Sequence, residues 1–349
     1  MNSAKQPQGA VLFCRRCGYP LTGLTAQRCP ECGTVFDPAS PRTYVRHPGT
    51  PLRRRWARRA TAVSISVVLA FSIPAAFLCY EWRHERRAIS ALQSKGIAVR
   101  TEPVGPEWTR RAAGPGLGRL FDRAAIISAS GETLGDDEWA GMSSLSHAWY
   151  LDLTESNAAD AQMRYVGRLH RLRHLRLSGT GVTDAGLAHL RGLASLESLN
   201  LSGTQISDAG LEQLGGVTSI TSLDLFQTRV SDRGARHVAA LRYLTRLDLG
   251  ATDITDAGVV HLAGLSHLSD LSIAGTGITD EGLRHLAALG CLRRLDLSHT
   301  RITESSIGEL RRLKSLEWLS VRNTPLADDN ASRLALAVPQ VRIEYLSPD

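Results

Sequence analysis

The chain has 349 residues, 43% hydrophobic and 5% aromatic, with a formal net charge of +7 and a pI near 9.3. That length holds two or three domains. The charge suggests nucleic acid until it is divided: residues 1–59 hold 11 Lys or Arg against 2 Asp or Glu and residues 81–349 hold 30 against 32, which removes charge as an argument for nucleic acid beyond the N-terminal segment.

Four of the six cysteines open the chain as Cys14-Arg-Arg-Cys17 and Cys29-Pro-Glu-Cys32. Two such pairs offer four thiolates, a complete tetrahedral shell for zinc, and Gly18 and Gly33 behind them suit the tight turns that aim backbone amides at sulfur. A shell filled by four sulfurs leaves no open position, so the expected ion is one structural zinc per chain on Cys14, Cys17, Cys29 and Cys32. The competing reading is two disulfides or free thiols, but a module of roughly 25 residues with so little apolar matter needs the metal to fold. Residues 1–36 are therefore read as a four-cysteine zinc ribbon, and the stretch from Phe13 to Asp37 resembles the small ribbons at the head of many bacterial membrane proteins.

Residues 37–59 form a Pro-rich linker that turns basic at Arg53-Arg54-Arg55-Trp56-Ala57-Arg58-Arg59. Residues 60–80 run without a charge for a length that, as a helix, rises about 31 Å and crosses a hydrocarbon core. The alternative is a buried globular helix, but Trp56, Tyr80 and Trp82 bracket the segment as interfacial anchors would. Six Arg within 45–59 face three Arg and one Lys within 81–95, which orients the N-terminus to the cytoplasm and the rest to the outer, periplasmic or extracellular, side. The thiolates then lie in the reducing compartment. Ala62, Ser66 and Ala70, at a spacing of four, form a small-residue stripe through which two spans can pair as a homodimer.

Glu81 to Ser94 reads as a helix closed by Lys95-Gly96, and Ile97 to Val99 as a short strand before an irregular Pro/Gly-rich stretch. Residues 81–119 are thus expected to cap the open end of the domain that follows, with Trp108 as a lid residue.

From 120 to 349 one sentence of sequence repeats. Thr recurs at 180, 204, 228, 252, 276, 300 and 324, a period of 24 without slippage, and periods in the twenties built on Leu mean a solenoid. In each unit a pair such as Leu199-x-Leu201 alternates with period two and sends both side chains to one face of a short strand. Ser207-Asp208 then opens a helix, with Ser or Thr as N-cap and an acid in the first turn at Asp184, Asp208, Asp232, Asp256, Asp280 and Glu304. Leu211, Leu214 and Val217 line one helix face. Stepping by the period places strands near 127, 151, 175, 199, 223, 247, 271, 295, 319 and 343, the outermost being degenerate caps. The L-x-x-L-x-L core at Leu196, Leu199 and Leu201, with ITDAGL-type second halves at Ile254–Val259 and Ile278–Leu283, resembles the leucine-rich repeat family. The whole chain resembles bacterial membrane-anchored proteins of that family. The resemblance implies an α/β solenoid with a concave parallel sheet and outer helices.

The concave face is where recognition is expected. Its column between the paired leucines reads Asp152, Arg176, Asn200, Asp224, Asp248, Ser272, Asp296, Ser320, and the column before it Tyr150, His174, Ser198, Ser222, Arg246, Asp270, Arg294, Trp318. Arg246, Asp270 and Arg294 alternate in sign and are expected to neutralise one another. Phe226 and Trp318, large aromatics on a polar sheet, suit interface anchors. They are assigned to partner binding with Arg176, Asp224, Asp248 and Asp296. His189, His237, His261 and His285 share one position on the helical face, too far apart to converge on a metal, and read as a repeat habit.

No phosphate loop, nucleophile elbow or HExxH motif supplies a catalytic set. The chain is therefore read as a non-enzymatic, membrane-anchored scaffold or receptor-like protein that binds a protein or surface glycan on the concave sheet. The alternative is a regulator whose ribbon and Arg-rich tail contact nucleic acid, for which that segment offers few aromatics beyond Phe13, Tyr19 and Phe36. ITDAGL-type repeats are also similar to those of substrate receptors in ubiquitin ligases, but the F-box is absent and a span stands in its place.

Overall fold

The structure, a computed structural model, describes residues 11–38, 40, 42–45, 80–105, 107, 108, 111 and 122–345. The expected span over 60–80 lies outside the described residues apart from Tyr80, as does most of the irregular stretch after Pro103; among the described residues no helix is long and apolar enough to cross a membrane. The chain divides into two units, Met1–Cys79 and Tyr80–Asp349.

In the first unit, strand β1 (Phe13–Cys14) pairs antiparallel with β2 (Tyr44–Val45). A segment read as linker therefore closes the cysteine module, and Tyr44 joins Leu21, Phe36, Cys14 and Cys29 in its small core. Gly18 and Gly33 both adopt positive φ and donate their amides to the carbonyls of Cys14 and Cys29, at 2.8 and 2.9 Å. These are the tight turns expected behind the cysteine pairs.

In the second unit the first leucine of each pair centres a three-residue strand and the second follows directly after it, so that one pleat buries both, as at Leu199 and Leu201. After the cap strands β3 (Ala98–Pro103) and β4 (Asp122–Ser128) come β5 (Tyr150–Asp152), β6 (His174–Arg176), β7 (Ser198–Asn200), β8 (Ser222–Asp224), β9 (Arg246–Asp248), β10 (Asp270–Ser272), β11 (Arg294–Asp296), β12 (Trp318–Ser320) and β13 (Arg342–Glu344). From β4 to β13 the strands are parallel and in chain order, and partners such as Leu199 and Leu223 are one period apart. Residues spaced by 24 in sequence are thus neighbours across the sheet. Strand β3 closes the first edge antiparallel to β4, and a helix over 80–94 packs Ala88, Ile89 and Leu92 onto the same core. Trp108, the expected lid residue, is 70% exposed.

Each fixed word of the repeat has a bond to make. The seven period-marking threonines are buried and donate their hydroxyls, at 2.5–2.7 Å, to the carbonyl three residues back, which closes the turn leaving each strand. The helix-opening acids do more than face the helix dipole. Asp160, Asp184, Asp208, Asp232, Asp256 and Asp280 each accept two bonds from the Ser or Thr 23 residues ahead, one from its amide at 2.7–2.9 Å and one from its hydroxyl at 2.5–2.7 Å. The N-cap of one helix is therefore clamped by the first turn of the helix before it.

The glycine of the ITDAGL word makes room for that clamp. A Cβ on Gly234 would sit 2.5 Å from Asp208 Oδ1 and one on Gly186 2.6 Å from Asp160 Oδ1, both closer than real Cβ atoms come. Ser306 occupies the same place after Asp280, and there the helix opens instead as a 3-10 turn over Glu304–Ser306. The ladder ends where its partners change: Asp136 meets Ala159 and Glu304 meets Ala327 at the receiving position.

Candidate binding surface and candidate metal centre

The four predicted cysteines converge. Their sulfurs all lie within 4.8 Å of one another, with Cys14 and Cys32 3.5 Å apart and Cys17 and Cys29 3.4 Å apart. All four thiols are free, and a tetrahedron of sulfurs about 2.3 Å from a central ion has edges of about 3.8 Å. Hydrogen bonds from the Thr34 hydroxyl, with Sγ to Oγ1 at 3.1 Å, and from its amide pull the Cys32 thiol down to about 6, so this sulfur is ready to ligate as thiolate. Such a cluster can hold a metal. It is the one group of three or more metal-ligating side chains among the described residues. The histidine column accordingly does not form one; His189 is exposed, and His237, His261 and His285 are partly exposed along successive outer helices.

On the sheet, Asp224, Asp248, Asp296 and Trp318 come together with Arg246, Asp270 and Arg294 around a shallow groove of about 340 Å³. Four carboxylates face two guanidinium groups, a formal excess of two negative charges. The aspartates between the leucines hold the turns that follow their strands. Oδ1 of Asp224, Asp248 and Asp296 accepts the amide two residues on, from Phe226 at 3.0 Å, Gly250 at 2.8 Å and Ser298 at 2.9 Å, so each locks the turn after its own strand. Asn200 does the same for Ser202 and donates its Nδ2 to Asp224 Oδ2 at 2.8 Å. Burial raises the pKa of Asp224 against the pull of the Phe226 amide. It raises Asp248 too, helped by the charges of Asp224 and Asp296 and opposed by the Gly250 amide. The groove is an acidic surface whose charges repel one another.

Two of the predicted site residues are already engaged. Trp318 is not an open anchor: its indole donates Nε1 to Glu344 Oε1 at 3.0 Å and carries the Arg294 guanidinium 4.5 Å above its ring. Arg294 also pairs with Asp270 at 3.4 Å, so this part of the alternating row does neutralise itself. Arg176 stands outside the groove, 3.6 Å from Asp152 and over the Tyr150 ring. Phe226 remains 38% exposed at the upper rim, lying over Gly250, where a Cβ would come 2.9 Å from its ring. Phe226 is the aromatic that fits the anchor role, and Gly250 is what lets it lie flat.

A second concavity, of about 560 Å³, opens at the N-terminal end of the sheet and is lined by His147, Trp149, Arg171, Arg173, His174 and Ser195. Sequence reading missed it because only columns inside the strands were followed. The columns at 147 and 149, just ahead of the strand, carry its Arg and Trp and could have shown it. Trp149 packs edgewise on His174 with ring centres 5.7 Å apart.

A parallel-sheet solenoid of stacked strand–helix units defines the class of this protein. Leucine rich repeat family models match residues 169–190, 192–215, 240–263, 264–287 and 291–313, and the chain carries leucine-rich repeats. No curated protein matches the chain. Among solved structures it is similar to an internalin C2 from Listeria monocytogenes, with 23% identity, a TM-score of 0.44, and coverage of 66% of this chain and 81% of that one. It is similar to a leucine-rich repeat protein of Leptospira interrogans at 21% identity and TM-score 0.41, covering 59% of this chain and 62% of that one. A plant peptide hormone receptor, RGFR1 in complex with RGF2, is similar at 14% identity and TM-score 0.41, covering 64% of this chain and 40% of that one.

Proposed function

We propose that this chain is a tethered, non-enzymatic binding protein that docks a protein ligand on the concave sheet. The observation that carries the reading is the groove itself. Asp224, Asp248, Asp270 and Asp296 share one surface with an excess of negative charge, and turn bonds fix Asp224, Asp248 and Asp296 in place. A row of half-buried like charges costs stability, and a partner of opposite charge recovers it. Phe226 supplies the apolar contact at its edge.

The remaining parts of the reading follow from sequence. Residues 60–80 tether the chain to a membrane, the N-terminus lies in the cytoplasm and the repeats face outward. The four thiolates of Cys14, Cys17, Cys29 and Cys32 hold one structural zinc. Protease added to intact cells then degrades the repeats and spares the cysteine module; digestion of the module first would invert the orientation. Purified chain carries one zinc, and Cys29→Ser carries none while the repeats still unfold at their usual temperature. For the ligand, full-length protein cross-linked on cells captures a partner, and Phe226→Ala together with Asp248→Asn reduces the yield; equal capture by the variant would remove the concave groove from the reading.

A further inference from the structure

The border of the concave face is divided by charge along its length. At its N-terminal end, in the turns that lead into the strands and at the start of β6, Arg171, Arg173, His147 and His174 line the 560 Å³ basin with Trp149 and Ser195, and no carboxylate is among the lining residues. Two carboxylates stand at its edge: Glu197, 3.4 Å from Arg173, and Glu102, which accepts from Trp149 Nε1 at 3.4 Å. Arg171 is exposed and in no ion pair among the described residues. The next strand outward is neutral, since β7 presents only Ser198 and Asn200. The acidic groove over β8 to β11 follows.

The titrating groups register opposite fields at the two ends. His147 is held below its ordinary value by burial and then by the charges of Arg171 and Arg123, against Glu81. Asp248 is held above its ordinary value by burial and by Asp224 and Asp296. Strands β6 and β9 are three spacings apart, about 14 Å at about 4.8 Å each, and Asp248 stands two residues further along than the His174 column, which brings the separation to about 16 Å. An extended polypeptide covers that distance in about four or five residues.

Building on the binding role argued above, we propose that the ligand is a polypeptide segment lying across the strands, with acidic side chains seated among Arg171, Arg173 and His174 and a basic side chain four or five residues away seated among Asp224, Asp248 and Asp296. Guanidinium groups take carboxylates in paired geometry, and the carboxylates of Asp224, Asp248 and Asp296, with Asp270 beside them, present the negative charge that an ammonium or guanidinium takes. The charge order also fixes direction: a segment laid the other way sets like charge on like charge at both ends.

The test uses the full chain in detergent at low salt and four blocked, fluorescently labelled peptides on one Gly/Ser frame. One carries Asp-Asp and Lys-Lys separated by four residues, one only Asp-Asp, one only Lys-Lys, and one Lys-Lys in both places. The two-signed peptide should bind about tenfold more tightly than either single-signed peptide, and the advantage should fade with added salt. R171E/R173E alters exposed side chains, so folding is kept; it should lose the advantage and should bind the doubly basic peptide more tightly than wild type does. That gain excludes simple unfolding as the cause of the loss. The proposal is overturned if the two-signed peptide shows no advantage, or if R171E/R173E keeps it. A native partner captured equally by wild type and R171E/R173E would overturn this charge order and leave the binding role standing. The peptide pattern without any captured partner would support the charge order and count against the binding role.

Discussion

Two columns of aspartate run the length of the repeats, and they do opposite things. The column at Asp160 to Asp280 is spent: both oxygens of each carboxylate are bonded to the next repeat, and a glycine has been kept bare to admit them. The column at Asp224, Asp248 and Asp296 serves the sheet: Oδ1 of each locks the turn after its own strand, Asp224 Oδ2 also accepts from Asn200, and burial disfavours the charge of Asp224 and Asp248, with the charges of Asp224 and Asp296 adding to the effect on Asp248. The same residue type thus joins neighbouring helices on one side and shapes the turns of the sheet on the other. Where the Oδ1 bond goes, to the next unit's helix cap or to the carboxylate's own turn, separates the two.

Breaking the first column should cost most. Asp208→Ala removes two charge-assisted bonds to Ser231, and a loss of about 3 kcal/mol in urea unfolding is expected, concentrated in the repeats on either side. Gly234→Ala drives a methyl into Asp208 Oδ1 at 2.5 Å and should cost about 2 kcal/mol. In an Asp208→Ala background the same methyl still meets Val230 Cγ1 at 2.7 Å and Leu211 Cδ1 at 3.1 Å, so only the share of its cost that comes from the carboxylate should vanish. Additive losses would show that the glycine serves something other than the clamp.

The second column should respond in the opposite sense. Asp248→Asn keeps the bond to the Gly250 amide, as Asn200 already makes it to Ser202. In the folded chain burial raises the Asp248 pKa above 3.8, so the folded state holds this proton more tightly than the unfolded chain does. That contribution is full below the unfolded value and is lost as pH climbs through the raised folded one. The Asn variant cannot ionise and escapes the loss. Its Tm should exceed that of wild type at pH 7 and match it at pH 3, while ligand capture falls; a lower Tm at both pH values would show the carboxylate to be structural. The smallest effect is expected at Ala251, held at φ 52° after strand β9. Ala251→Gly releases about 1 kcal/mol of left-handed strain and returns part of it as unfolded-state entropy, so the net gain should be under about 0.5 kcal/mol.

Much of the architecture was legible because a fixed period is a long-range statement. Once Leu199 and Leu223 share a column, their pairing across the sheet follows, and so do the strand positions from 127 to 343. The convergence of Cys14, Cys17, Cys29 and Cys32 was legible for a related reason, since two close pairs of one ligand type can hardly serve apart. The clamp was not. Ser207 and Asp208 do form a local N-terminus, with the Ser207 hydroxyl accepting from the Ala209 amide at 3.3 Å, and that local account concealed the bond from Ser207 back to Asp184. A carboxylate, a hydroxyl and a glycine recurring together at offsets of 23 and 26 was the available signal. The cover over Trp318 was not legible because it comes from Arg294 and Glu344, each about one period away, and neither is implied by its own surroundings. Tyr44–Val45 escaped because two residues carry no periodicity.

The joint between neighbouring units has a further consequence. Because the bond runs from one Asp to the Ser or Thr 23 positions ahead, the two halves of each joint belong to different units, yet every interior unit carries one of each. Excising residues 208–231 leaves Ser207 beside Asp232, so Asp184 still reaches its hydroxyl and Asp232 still reaches Thr255. A whole unit can therefore be added or removed without breaking a joint, so the joints themselves set no particular length for the array.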